Sequence, residues 1–498
     1  MATKVAEAGT GPSHICSPIS GKDKRSVLRV GHRKKLVLFS IVCLVVAIKV
    51  LLFSLSDTSV PQERLRYFQH RSIQPAELEN AIQYSWNLSD SSSGHIPIRP
   101  NPNLDQMDCP AMLRGEEKAL QYSREYMQRN EPTRISNEDF IEQTKDCDDF
   151  RRTRGYFSQP LSKEEADFPL AFSILMYKDL HQIERLLRAI YHPQNFYCLH
   201  VDLKASELTR QATERLAGCF PNVFLSSRSE SVFWGHISII YAEMACIHDL
   251  LRHDWKYFIN LSGQMFPLHT NRELVKILQL YNGANDIEGT FKRSQPLWLK
   301  VRQMFSWRLV EFLDTMLITI FPKSIPPHNI TIYKGSNQVA MSRAFAEYFM
   351  TDQKSQDIVS WFADTLAPDE YIWPTLNHNP HLLAPGSYSG DPEVKPFIAR
   401  VSIWLPLALQ VNWSWEHWDC QGKWVREICI FGVGDLPWLQ QRPELFANKF
   451  HSNYEWLAYD CMEQLIFNRT IAGDKISFDS SYYQSLPFVN DPTLVVRP

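Results

Sequence analysis

Residues 168–202, FPLAFSILMYKDLHQIERLLRAIYHPQNFYCLHVD, read as strand, helix and strand. The run FPLAFSILMY (168–177) is short, continuous and apolar, the pattern of a strand buried on both faces. In LHQIERLLRAI (180–190), Leu180, Ile183, Leu187 and Ile190 fall on one helical face. NFYCLHVD (195–202) returns as the second strand. The alternation continues through ASELTRQATERLAG (helix), NVFLSS (strand), HISIIYAEMACIHDLLR (helix) and YFINLSG (strand). Strands separated by single helices predict a largely parallel sheet with helices on both sides. Ligands on such sheets bind at the carboxyl ends of the strands, which directs attention to Asp202 and the segment around Trp234.

The flanking sequence sets a topology. The first 35 residues carry eight Lys/Arg against Glu7 and Asp23, while the whole 498-residue chain has a net charge of −3. LVLFSIVCLVVAIKVLLFSL (36–55) follows, charged only at Lys49 and long enough for a helical bilayer crossing. The expectation is a cytosolic tail (1–35), an uncleaved signal-anchor transmembrane helix (36–55), a Pro- and Ser-punctuated lumenal stem (56–108) and one large lumenal domain (109–498). This predicts a single-pass type II membrane protein, and only the resemblance carried by the later segments implies that the membrane is that of the Golgi. Five sequons and eight cysteines beyond residue 56 agree with a secretory, oxidising compartment. Asn87, Asn329, Asn412 and Asn468 are the expected N-glycosylation sites; Asn260, inside the strand YFINLSG, is expected to be buried and unmodified.

Common catalytic signatures are missing: there is no G-x-x-x-x-G-K-S/T, no G-x-G-x-x-G after the first strand, no H-E-x-x-H and no G-x-S-x-G. The balanced charge does not suit a nucleic-acid binder. The lone D-x-D, Asp146-Cys147-Asp148, precedes the first strand and is read as accidental. Gly432-Val433-Gly434 reads as a turn after the strand EICIF.

FPLAFSILMY, LLRAIYHPQNFYCLHVDLKA, CFPNVFLSSRSESVFWG, WKYFINLSGQMFPL, APDEYIWPT and VREICIFGVGDLPWL followed by LFANKF occur here in one order. Together they resemble the branching β-1,6-N-acetylglucosaminyltransferase family of core 2 and I-branching type, related to the peptide xylosyltransferases, from about Cys109 to Phe467. The resemblance implies an α/β, glycosyltransferase-A-like domain with a Rossmann-like sheet and without a functional D-x-D, preceded by the one transmembrane helix. It implies Glu370 of APDEYIWPT as catalytic base, since a carboxylate can take the proton of an acceptor hydroxyl. Arg426 and Lys449 are the implied partners of the UDP leaving group, in place of a divalent metal; no metal or other cofactor is expected. Leu175, Asp202 and Trp234 are the implied uridine contacts, and Glu288 and Trp404 the acceptor contacts. The implied disulfides are Cys109–Cys461, Cys147–Cys219, Cys198–Cys246 and Cys420–Cys429.

The acceptor side departs from the family pattern. A basic pair expected soon after Glu288 appears only as Lys300 and Arg302 at shifted spacing, Pro406 replaces an aromatic, and Met265 replaces an aspartate. The expected activity is inverting, metal-independent transfer of N-acetylglucosamine from UDP-GlcNAc to a β-1,6 branch on core 1 (Gal-GalNAc) O-glycans of a glycoprotein. Another UDP-sugar such as glucose or xylose, or another acceptor, is the alternative within this chemistry. A Golgi glycan-binding protein without catalysis is the alternative outside it.

Overall fold

The structure is a computed structural model that describes Arg99 and residues 101–292, 297–405 and 419–497. Strand β1 (Leu170–Met176) is buried along almost its whole length, as its uninterrupted apolar sequence requires. It pairs in parallel with β2 (Phe196–Val201), which pairs in parallel with β3 (Val223–Leu225). On its other side β1 pairs in parallel with β4 (Tyr257–Ser262). The ends are in register: Leu175 lies opposite His200 on one side and Ser262 on the other. A short β5 (Met265–Pro267) follows, then a two-stranded antiparallel ribbon of β6 (Phe305–Val310) and β7 (Thr315–Pro322). Strand β8 (Ala340–Ser342) runs antiparallel to β4 and closes the sheet in the order β3-β2-β1-β4-β8.

Helices α1 (Leu180–Ile190), α2 (Glu207–Gly218), α3 (Ser238–Leu250) and α4 (Asn271–Tyr281) connect or flank these strands. Local chemistry marks their starts. Ser206 caps α2 by accepting from the Thr209 amide at 3.1 Å, and Thr270 with Glu273 forms a reciprocal capping box at α4. The period-2 alternation of β1 divides the core: Phe172 and Ile174 belong to one cluster with Leu186 and Leu199, while Ala171 packs on the other face with Ile247 and Phe258. A disulfide from Cys198 to Cys246 ties β2 to α3.

A second sheet sits beyond the first. Strands β9 (Arg400–Val401), β10 (Lys423–Val425), β11 (Ile428–Ile430) and β12 (Phe446–Asn448) come late in the chain. Strand β12 pairs antiparallel with β5 and parallel with β9, whereas β10 and β11 form a hairpin. The long helix Trp456–Ala472 lies under a third core cluster and is joined to the helix Cys109–Leu113 by the Cys109–Cys461 disulfide. The other bridges are Cys147–Cys219 and Cys420–Cys429.

Two expectations need correction. The periodicity of 180–190 predicts one buried face, yet Glu184, Arg185 and Arg188 are buried too. Their charges are met by partners: Arg154 with Glu184 at 2.5 Å, Arg185 with Glu463 at 2.7 Å and with Asp460, and Arg188 with Glu463. The second correction concerns the membrane. No helix among the described residues is long and apolar enough to cross a membrane, and residues 36–55 lie outside those described. The fold among the described residues is accordingly the glycosyltransferase-A-like domain without a preceding transmembrane helix. The signal anchor, the membrane-anchored state and the type II placement in the Golgi membrane, all of which depended on that helix, are set aside.

Candidate active site

The carboxyl ends of β1, β2 and β4 form the floor of the site. Leu175 is partly buried there, flanked by its register partners. Asp202 follows β2 directly and is buried, and its carboxylate already accepts from two backbone amides, Lys204 at 2.8 Å and Val232 at 3.1 Å. This answers how a strand-end carboxylate escapes the cost of burial. It also pins the 226–235 loop, from which Trp234 projects with 70% exposure. An indole so exposed on a sheet protein adds little to the core and is open to solvent.

Cations gather over this floor. Pairing of β12 with β5 brings Lys449 back to the sheet, and the Phe450 amide donates to the Gln264 carbonyl at 2.9 Å. Lys449 is partly buried, and its ammonium is pushed below the usual lysine range first by burial, then by Arg426 and Arg400. Arg426 is one of the two residues in the turn between β10 and β11. That turn has positive φ at both Arg426 (51°) and Glu427 (66°), the requirement of the tight hairpin turn that matches strand twist. The Cys420–Cys429 bridge staples this hairpin to the chain before it. His451 is held below its ordinary range by burial and then by Lys449, Lys423 and Lys178, the last of these two residues beyond β1. Lysines and arginines from four separate segments therefore share one place, a charge distribution fit for a diphosphate.

The carboxylates lie on the adjoining side. Glu370 stands in the first turn of the helix Asp369–Asn377, half-exposed. Its Oε2 is 3.1 Å from Lys334 Nζ and 3.4 Å from Arg302 Nη1. Asp369 beside it is buried, with its carboxyl pushed up to about 7 by burial first and then by the Glu370 charge. Arg400 on β9 joins the two halves. Burial lowers it to about 10, while Glu288, Glu370 and Asp369 act in the opposite sense, and its Nη2 donates to Ser336 Oγ at 2.9 Å. Glu288 is thus brought to the same cluster. Trp404, 42% exposed, makes a backbone bridge to Ile428, and the Leu405 amide donates to the Glu427 carbonyl at 2.8 Å, so this segment runs alongside the Arg426 hairpin.

Lys334 and Arg400 did not stand out in the sequence. The only local signal is Gly335: a Cβ there would lie 2.2 Å from the Glu288 carbonyl oxygen and 2.7 Å from Pro374 Cγ, so only glycine lets the three segments meet. The sequons divide. Asn329 is exposed and Asn468 is half-buried on its helix, whereas Asn87 and Asn412 lie outside the described residues. Asn260 is 2% exposed, with its amide donating to Glu243 at 2.8 Å, and cannot carry a glycan. Asp146 of the lone D-x-D caps a helix by accepting from the Asp148 and Asp149 amides. Cys420, Cys429 and Asp435 also lie together, but the sulfurs are joined covalently and Asp435 accepts from the Gln421 and Gly432 amides, which leaves no ligand set for a metal there.

The model of the Core-2/I-branching enzymes matches residues 170–440. The chain belongs to that family. Among similar proteins, the β-1,3-galactosyl-O-glycosyl-glycoprotein β-1,6-N-acetylglucosaminyltransferase 3 of Rattus norvegicus is 34% identical over 387 residues, 75% of this chain and 86% of the relative. The corresponding enzyme of Homo sapiens without the numeral is 35% identical over 383 residues, 74% of this chain and 87% of the relative. The N-acetyllactosaminide β-1,6-N-acetylglucosaminyl-transferase of Mus musculus is 38% identical over 352 residues, 70% of this chain and 84% of the relative. As a Core-2/I-branching enzyme the chain is a UDP-sugar-dependent glycosyltransferase. Its matched region holds Leu175, Asp202, Trp234, Glu288, Glu370, Arg400, Trp404 and Arg426, while Lys449 falls beyond it.

Proposed function

We infer that this Core-2/I-branching enzyme transfers N-acetylglucosamine from UDP-GlcNAc to a β-1,6 branch on core 1 type O-glycans, with inversion and with cationic side chains in place of a metal. One observation carries the residue assignment: Arg400 couples the Glu370 carboxylate on one side to the Lys449–Arg426 cluster on the other, at the carboxyl ends of the sheet. Glu370 takes the proton of the acceptor hydroxyl as that oxygen bonds to the anomeric carbon. The bond from the anomeric carbon to the diphosphate breaks, and UDP leaves with its new charge facing Lys449 and Arg426. Fixed cations in a half-buried site are already oriented when this charge appears, so no solvent reorganisation opposes it. Trp234 stacks on the uracil, and Glu288 with Trp404 receives the acceptor sugars.

The 38% identity to the N-acetyllactosaminide enzyme supports a second acceptor, a poly-N-acetyllactosamine chain. The test is a transfer assay of the purified chain with UDP-GlcNAc, UDP-glucose and UDP-xylose against core 1, core 3 and N-acetyllactosamine acceptors, each with and without EDTA. EDTA-resistant transfer to core 1 that disappears in Glu370→Gln supports the reading. Loss of transfer on chelation refutes the role given to Arg426 and Lys449, and absence of UDP release with every pair would leave a glycan-binding protein.

A further inference from the structure

We propose that Lys334 is a positioning residue for the catalytic carboxylate, a role that rests on Glu370 being the base. The Lys334 backbone is held on both sides: its amide donates to the Thr290 carbonyl at 3.0 Å, and its carbonyl accepts from the Thr290 amide at 2.8 Å. The next amide, Gly335, donates to the Glu370 carbonyl at 2.8 Å. The lysine therefore reaches Glu370 from a segment bonded both to the Glu288–Thr290 stretch and to the helix that bears the carboxylate. Its Nζ stands 3.1 Å from Oε2, with the side chain 17% exposed.

Arg302 reaches the same oxygen at 3.4 Å. Both cations fall on Oε2, so Oε1 keeps its lone pairs for the acceptor hydroxyl. A carboxylate clamped through one oxygen is restricted to one rotation about its last bond, which a lone half-exposed glutamate is not. Among the described residues, the charged groups that face Glu370 are Lys334, Arg302 and Arg400 from other segments, with Asp369 on its own helix. Lys334 is nearer to the carboxylate than Arg302.

The experiment measures kcat and the KM for UDP-GlcNAc separately for the full chain and for K334Q, K334M, K334R and E370Q, with folding checked by calorimetric UDP binding. K334Q and K334M are expected to lose about 10- to 100-fold in kcat, with KM for UDP-GlcNAc little changed. K334R should recover most of the rate. A folded K334Q or K334M with the parent kcat, or a K334R that recovers none of the rate, overturns the inference while an inactive E370Q upholds the base; an active E370Q overturns the base reading itself.

Discussion

Lys449 shows how a single side chain carries the logic of the site. Its ammonium is disfavoured by burial and by two like charges, a cost that a bound anion would offset. Because its ammonium is held below the usual range, UDP affinity is expected to decline on the alkaline side earlier than a free lysine would dictate. Arg426→Met should bind UDP more weakly at neutral pH, yet its alkaline decline should move upward, since one of the two repelling cations has been removed; titration calorimetry across pH 7–10 reads both. Glu243 supplies a second test at this scale. Burial pushes its carboxyl up to about 8, with the Asp369 charge adding to it and the Asn260 amide opposing. The folded state thus keeps a proton that the unfolded chain releases near the ordinary glutamate value of 4.5, so this group's contribution to stability is greatest in acid and falls as pH rises from there through about 8. Glu243→Gln keeps an acceptor for Asn260 and removes the titration. Urea unfolding should show it more stable than the parent by on the order of 2–4 kcal/mol at pH 8, with little difference at pH 5. Of these groups Glu370, Arg426 and Lys449 were legible through the segments that carry the family resemblance. Glu243, Lys334 and Arg400 were not, because a charged residue in a sequence carries no mark of the partner that folding places beside it.

At the scale of elements, the β10–β11 hairpin departs from what its sequence advertises. Tight two-residue turns favour Asn-Gly, and here Arg426 and Glu427 occupy both left-handed positions. Each L-residue so placed costs about 1–2 kcal/mol. This strain has a use at Arg426, whose charge the turn brings to Lys449, and none that the structure shows at Glu427. Glu427→Gly is therefore expected to stabilise the fold by about 1 kcal/mol while leaving UDP affinity unchanged, as differential scanning calorimetry and binding would report. Gly335 gives the converse case. A methyl group there meets the Glu288 carbonyl and Pro374, and neither backbone nor proline ring yields cheaply. Helix α1 is a third instance: its apolar stripe was read correctly, but its charged face proved equally buried. Periodicity reports which side of a helix is apolar and says nothing of a second helix bringing Asp460 and Glu463 to cover the other side.

For the whole molecule, the parallel β1–β4 core was legible because buried parallel strands are written as continuous apolar runs separated by helical periods. The sheet of β5, β12 and β9 was not: its strands are two or three residues long and far apart in sequence, too short for any period to show. Two disulfides span these two regimes and should fail differently. Cys109–Cys461 closes a separation of 352 residues and ties the helix Cys109–Leu113 to the helix whose Asp460 and Glu463 grip α1. Cys420–Cys429 closes a separation of nine and lies beside the Arg426 turn. Chain entropy makes the long closure the larger contributor to stability, about 5–6 kcal/mol against about 2–3 for the short one. Replacing Cys109 and Cys461 together by serine should lower the unfolding temperature clearly, while the folded fraction at about 10 °C binds UDP as the parent does. Replacing Cys420 and Cys429 should lower that temperature less and weaken UDP binding at every temperature, because the hairpin holding Arg426 is no longer stapled. Equal losses of binding in the two double variants, measured on folded protein, would show that the short bridge has no special part in holding the cation.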